Sequence, residues 1–408
     1  MKNVWILNHH AVPPNIGGGT RHHELSYYLN KKGYKTTIFC SGNVHRRDID
    51  LIPPGATYKE ENCYGVDYVF IKTKPAYGES GVKRVLNMLS YYFFMVRNYR
   101  RFGTPDIVIG SSVHPFAIEA ARVIARETGA KFFCEIRDLW PETLVQMGQI
   151  SRYHPIVLFF KRMEKRFYRT AEKIIVLMPN AYEYIKRYNI PAAKVVYIPN
   201  GVDAEGFDRL KETKTIPPAI ESALGKGFCC VYTGAHGVAN SLETLILSAE
   251  IVQKEAPAPA VTYIFIGDGP EKKTMQQMAE ERGLKNVLFF DPVKKEEVPA
   301  ILSRASINLA AMKDLELYKY GISLNKLFDY MCSGKPVVFA GNVYNDLVKM
   351  SGCGISVPAD DFRGFAGAII KLYHMSQQER AHLGEKGKAY VREHHNMIKL
   401  TDRLEALF

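Results

Sequence analysis

No run of about 18 apolar residues occurs anywhere in the chain, so no segment reads as a helix that crosses a membrane. There is no CxxC pair and no regular cysteine spacing. The 7 cysteines are odd in number and two of them, Cys229 and Cys230, are adjacent. That usage points away from a disulfide framework and toward reduced thiols in the cytoplasm. The dinucleotide fingerprint GxGxxG is missing, which argues against a nicotinamide or flavin redox enzyme. Low-complexity tracts and short repeats are missing too, and tryptophan occurs only 2 times. No Asp-x-Asp pair stands in a metal-ligand context, so neither a metal nor any other cofactor is expected. The opening "MKNVWILNHH" has one lysine and then four apolar residues before Asn8. It reads as a first strand, too short for a signal peptide.

What is present is ordinary in bulk and uneven in charge. The 408 residues are too many for one core, so two domains are expected. A hydrophobic share of 47% and a charged share of 24% suit a globular protein. The net charge of +12 calls for phosphates: nucleic acid, an anionic membrane surface, or phosphorylated small molecules.

Short β-branched runs alternate with amphipathic stretches. In the first half the runs are "VWIL", "KTTIFC", "VDYVFIK", "DIVIG", "KFFCEI", "KIIVL" and "VVYIP". In the second they are "FCCVYTG", "VTYIFIG", "NVLFFD", "SINLAAM", "KPVVFA" and "GISV". Near-continuous apolar strands between helices predict parallel sheets covered on both faces. Residues 204–227 are polar and rich in Pro and Gly and read as a linker. The division is 1–203, linker 204–227, 228–375, and a helical end over 376–408 that crosses back to the first domain. The fold class is α/β: two doubly wound, Rossmann-like domains facing across a cleft. Ligands of such sheets bind beyond the carboxyl ends of the strands.

Several motifs sit at those ends. "PPNIGGGTRHHEL" places Gly17, Gly18 and Gly19 before a helix, where backbone can approach an anion, or else form a flexible loop. "VYTGAHGVANSLETL" repeats the arrangement in the second half with Gly234, His236, Gly237 and Asn240. "IFIGDGPEKKTM" adds Gly269, which alone is a turn. "GSSVHPF" ends a strand at His114, and "EIRDLWPET" puts Arg137 and Asp138 at the end of the next. These are either site residues or, respectively, a satisfied histidine and a loop ion pair. In "YGISLNKLFDYMCSGKPVVFA", Lys326 and Asp329 lie one helical turn apart. An ammonium at a helix start opposes the macrodipole unless an anion sits there. Lys326 is therefore expected to hold a phosphate and Asp329 to accept ribose hydroxyls. The plainer reading is an i,i+3 ion pair, worth a few tenths of a kcal/mol. Finally, "GVKRVLNMLSYYFFMVRNYRRF" and "HPIVLFFKRMEKRFYR" are basic and aromatic. They suit either an anionic membrane interface or the core side of ordinary helices.

In this order the strings resemble a retaining glycosyltransferase of family 4, with the two-Rossmann GT-B architecture. The most specific are "IPNGVD", "GDGPEKKTM", "NVLFFDPVKKEEVPAILSRASINLAAM" and "LFDYMCSGKPVV". "GGGTRHHELSYYLNKKGY" and "RDLWPE" resemble the bacterial L-fucosamine transferases of O-antigen and capsule assembly. The resemblance implies that the second domain binds a UDP-sugar and the first an acceptor. It places Asp329 where the second of two family glutamates stands; the first falls on Gly321. Ala235 or His236, and Asn240, stand where the family has Arg and Lys, so Lys326 would supply the charge, flanked by Asn325 and Leu327. Val293 matches the position whose backbone holds the base. Asp138, Arg137 or His114 would orient sugar or acceptor. The implied reaction retains anomeric configuration, uses no metal, and passes the acceptor proton to the leaving diphosphate. The implied acceptor is a polyprenyl-diphosphate-linked saccharide, met by a peripheral enzyme at the inner face of the cell membrane. The alternatives are a nonhydrolysing UDP-sugar epimerase of the same build and a basic nucleic-acid- or membrane-binding protein. For nucleic acid, no recognised module is visible.

Overall fold

The computed structural model describes residues 1–17, 19–44, 49–75, 81–112, 114–146, 148, 150–255 and 261–408. The chain forms two compact units, Met1–Pro199 with Leu400–Phe408, and Asn200–Lys399.

The first unit is built on eight strands: β1 (Asn3–Leu7), β2 (Lys35–Ser41), β3 (Tyr58–Cys63), β4 (Val66–Ile71), β5 (Ile107–Ser111), β6 (Lys131–Ile136), β7 (Lys173–Val176) and β8 (Val195–Tyr197). Their order is β3-β4-β2-β1-β5-β6-β7-β8. Ile6 of β1 lies between Ile38 of β2 and Ile109 of β5, so the centre of the sheet is aliphatic on both sides. Every pair is parallel except β3–β4. Seven of these strands match the apolar runs of the sequence. The eighth, β3, does not, because an edge strand facing water needs no apolar run. Its "YKEENC" joins β4 through Tyr64 and Gly65, both at positive φ (51° and 84°), the geometry of a tight hairpin turn.

The second unit carries β9 (Phe228–Thr233), β10 (Val261–Ile266), β11 (Val287–Phe290), β12 (Ile307–Ala311), β13 (Val337–Ala340) and β14 (Gly354–Val357). All pairs are parallel, in the order β11-β10-β9-β12-β13-β14. Strand order reverses between β9 and β12, the place where doubly wound sheets open a crevice at their carboxyl edge. In the first unit the reversal lies between β1 and β5.

The stretch 204–227 differs from the expected linker. It folds into the helices Ala204–Thr213 and Pro218–Leu224. Asp203 caps the first by accepting from Gly206 N at 3.0 Å. Phe207, Ile216, Ile220, Ala223 and Leu224 then enter the core beside Ile301 and Tyr330. Their spacing is helical, but lysines and prolines between them dilute the pattern. The chain ends in the helices Gln377–His394 and Met397–Glu405. The last residues belong to the first unit, where Lys32 pairs with Asp402 and Glu405 at 2.7 Å. No helix among the described residues is long and apolar enough to cross a membrane.

Candidate active site

In the second unit, the loop after β9 and the helix Asn325–Cys332 before β13 meet at the crevice. Lys326, the second residue of that helix, is partly buried. Its Nζ donates to Tyr232 Oη at 2.6 Å and Asn240 Oδ1 at 2.8 Å, and lies 4.1 Å from the Tyr232 ring centre. It does not pair with Asp329, so the i,i+3 ion pair is not what these residues form. No carboxylate among the described residues comes within ion-pair distance of it. Burial lowers its pKa to about 7. Gly234, at φ 137°, faces the ammonium: a Cβ there would stand 3.3 Å from Lys326 Cε and Nζ. The glycine thus leaves open the space an anion would fill. Asp329, one turn further, is partly buried, and burial raises its carboxyl pKa.

The supports of this grip were only partly visible in the sequence. Tyr232 also donates to Ala235 O at 2.7 Å, and Asn240 Nδ2 to the same oxygen at 3.0 Å. The loop therefore presents both acceptors to Lys326 in fixed positions. Tyr330 accepts from Thr233 N at 2.8 Å and donates to Thr233 O at 2.9 Å, tying the helix to β9. Neither Tyr232, within the run "FCCVYTG", nor Tyr330, on the Lys326 helix, was among the expected site residues. Asn240 was the position where a cation was missing, and here it receives one.

The remaining donor-side candidates separate into ligand-facing and structural places. His236 is fully buried among Tyr232, Phe265 and Phe289, and both its ring nitrogens lack hydrogen-bond partners among the described residues. Burial, helped by Lys272 and Lys326, holds its pKa down at about 4. Gly237 precedes the turn Val238–Asn240, and Asn240 ends it. Gly269 backs the loop, since a Cβ on it would collide with the His236 backbone. Val293 lies past β11 and packs its side chain on the core. Asn325 is exposed at the helix start. Leu327 departs from the expectation of a donor contact. Its side chain is fully buried in the core, and its N–H already bonds Leu324 O at 3.1 Å.

In the first unit, the carboxyl ends of β1, β5 and β6 gather Gly17, His114, Arg137 and Asp138. Gly17 ends a short turn at φ 82°, and Gly19 is exposed; Gly18 lies outside the described residues. The glycines do not themselves open the helix, which begins at Arg21 and has its first turn pulled into the interior. Arg21 Nε donates to Glu135 Oε1 at 2.9 Å, Nη2 to Ile198 O at 2.9 Å, and Nη1 to Pro199 O. Glu135 Oε2 also accepts from Ser111 Oγ at 2.6 Å and meets His22 Nε2 at 2.5 Å. Asn8 Nδ2 donates to His22 Nδ1 at 2.9 Å, which leaves the His22 proton on Nε2, facing Glu135. Burial alone would raise the Glu135 carboxyl. Arg21 and His22 outweigh it and hold the pKa well below the usual range. His114 is buried, and among the described residues neither ring nitrogen has a hydrogen-bond partner. Arg137 Nε likewise has no partner among the described residues, and Asp138 is exposed. The two form no ion pair with each other among the described residues.

Residues 16–205 match the family model described as Glycosyltransferase Family 4, and 227–375 match Glycosyl transferases group 1. Both halves of the chain therefore belong to glycosyltransferase families, the first of them to family 4. Among curated proteins, this glycosyltransferase is 21% identical over 279 residues to WcaI of Escherichia coli K12, described as a colanic acid biosynthesis glycosyl transferase. The match covers 66% of this chain and 66% of that protein. Among solved structures it is similar to a sucrose-phosphate synthase from Thermosynechococcus elongatus (TM-score 0.75, 16% identity, 100% and 98% of the two chains). It is also similar to Anabaena HepE in complex with UDP-glucose (TM-score 0.69, 14% identity, 100% and 99%). At those identities the structural likeness establishes the GT-B fold.

Proposed function

We propose that this glycosyltransferase moves a hexosyl or N-acetylhexosaminyl group, with retention, from a UDP-sugar to a polyprenyl-diphosphate-linked saccharide in surface polysaccharide synthesis. The observation that carries the reading is the Lys326 ammonium. It sits partly buried at a helix start, held only by neutral oxygens, beside a glycine whose missing side chain leaves room for an anion. A nucleoside diphosphate relieves both the burial cost and the opposition of the helix dipole. In the second unit, Asp329 lies one turn on along the same helix, where it would meet the ribose hydroxyls. The UDP-glucose bound by HepE and the colanic acid role named for WcaI support the donor and pathway classes.

As the sugar–phosphate bond breaks, charge gathers on the leaving diphosphate. Lys326 stabilises that charge, and no metal is needed at this position. The diphosphate takes the acceptor proton, while His114, Arg137 and Asp138 orient acceptor or sugar from the first unit. A screen of nucleotides by thermal unfolding tests the donor class, because ligand binding stabilises the folded state by mass action. UDP-sugars should raise the midpoint of the unit that holds Lys326, and ADP- or GDP-sugars should not. A shift confined to another base would contradict the reading.

The surface of the first unit supports a lipid-linked acceptor. The helix Gly81–Asn98 exposes Val82, Val85, Leu86 and Phe93, and the segment around the start of helix Pro155–Thr170 exposes Tyr153, Ile156, Leu158 and Phe159. Both helices pack on the helix Pro115–Thr128. Exposed Lys83, Arg97, Arg100 and Arg101 flank the first patch, and Arg162, Lys165, Arg166 and Arg169 line the second. Other aromatics of these helices are core: Tyr91 is fully buried and donates to Phe39 O at 2.8 Å. In liposome flotation, vesicles containing anionic lipid should capture the chain and neutral vesicles should not. Phe93→Asp with Leu86→Asp should abolish capture; equal capture by both lipids would contradict a basic interface.

A further inference from the structure

Three imidazoles converge in the first unit. His9 and His10 lie just past β1, after Asn8, and His114 lies just past β5, its parallel neighbour. One ring nitrogen of each lies within 4.8 Å of one from each of the others. The rings of His9 and His10, and of His9 and His114, are 4.7 Å apart at their centres, and those of His10 and His114 are 5.8 Å apart. His9 and His114 are buried and His10 is partly so.

The backbone fixes these positions. His9 O accepts from Ser41 N at 2.9 Å, and His10 N donates to Asn8 Oδ1 at 3.0 Å. His114 stands immediately before Pro115, at the first position of its helix, and makes no cap bond through its side chain. Its two ring nitrogens are buried and lack hydrogen-bond partners among the described residues. Leaving a buried polar side chain unpartnered is unfavourable. Packing alone would be served as well by an apolar ring. Carboxylates are not part of the cluster, so its donors are all borderline-soft nitrogens.

We propose that His9, His10 and His114 form a three-histidine site for one late first-row divalent cation, with Zn²⁺ the best match. Imidazole is the commonest metal ligand, and three histidines with an open fourth position are a known zinc arrangement. A carboxylate-free nitrogen set disfavours Mg²⁺ and Ca²⁺. A Zn–N bond is about 2.0–2.1 Å, so the three rings would draw closer together around the ion. The fourth position would take water or an anionic oxygen. This site does not rest on the donor reading above, since it uses no residue of the second unit.

The test uses the full chain, purified without a histidine tag and stripped with chelator. Equilibrium dialysis with Zn²⁺ should give one tight equivalent, and Co²⁺ should give the visible bands of a tetrahedral site. His10→Ala and His114→Ala should each weaken Zn²⁺ binding at least about tenfold and abolish the cobalt bands. His382→Ala, an exposed histidine elsewhere, should leave both unchanged. Should His114→Ala misfold by circular dichroism, the partly buried His10→Ala decides alone. Absence of a tight equivalent, or one that His10→Ala leaves intact, would overturn the proposal.

Discussion

Lys326→Ala should lower turnover by about 100- to 1000-fold, the cost of removing one preorganised group that stabilises charge in a transition state. It should also weaken UDP binding. The fold should survive, because the residues left behind keep partners: Tyr232 still donates to Ala235 O, and Asn240 Nδ2 to the same oxygen. Melting curves of the variant and the native chain should therefore overlap. Lys326→Met, which keeps the length of the side chain, should be as inactive as the alanine, since what matters is charge. The pKa near 7 adds a signature. Above pH 7 the empty site holds a largely neutral amine, and a bound diphosphate restores its charge. Binding then takes up a proton, so UDP affinity should fall as pH rises from about 7 toward 10. Calorimetry in buffers of different ionisation enthalpy reads that uptake directly, and Lys326→Met should lose it. Native turnover by Lys326→Ala would exclude this residue from the chemistry.

Glu135→Ala should destabilise the first unit by about 3–5 kcal/mol, the cost of breaking a buried ion pair from one side. The carboxylate is buried to 2% exposure and Arg21 to 5%, so water cannot replace the lost partner. His22 and Ser111 lose their acceptor as well. The pH dependence has a definite sign. The folded carboxyl is held well below its ordinary pKa, so its stabilisation is present above the unfolded value near 4.5 and fades as pH falls through the folded one. The double variant Glu135→Leu with Arg21→Met should be less damaging than Glu135→Ala, because it leaves no buried charge alone. Chemical denaturation checks both. A loss under 1 kcal/mol for Glu135→Ala would mean that Arg21 finds water in the folded state.

The sheets were legible because buried parallel strands write themselves as apolar runs, and all six strands of the second unit appear in that way. β3 escaped because its exposed "YKEENC" carries no such signal, and only Tyr64–Gly65 marks its turn. The helices over 204–224 escaped because their core contacts, Phe207, Ile216 and Ile220, are few among charged neighbours. Lys326 was legible because a lysine at a helix start is electrostatically anomalous. Its holders were not. Tyr232 is a strand residue whose hydroxyl function shows only when the chain folds over it, and the meeting of Asn240 with Lys326 spans 86 residues. The Arg21–Glu135 pair joins residues 114 apart, and nothing in "KFFCEI" singles out Glu135 as a buried acceptor. Sequence pattern shows which residues want to be inside; it does not show which buried polar groups find one another.

The most direct measurement is a crystal of the full chain soaked with UDP. The diphosphate should lie against Lys326 Nζ and the backbone of Gly234–Gly237, with the ribose hydroxyls on Asp329. Nucleotide bound elsewhere, or well-ordered nucleotide that leaves Lys326 still bonded only to Tyr232 and Asn240, would contradict the account.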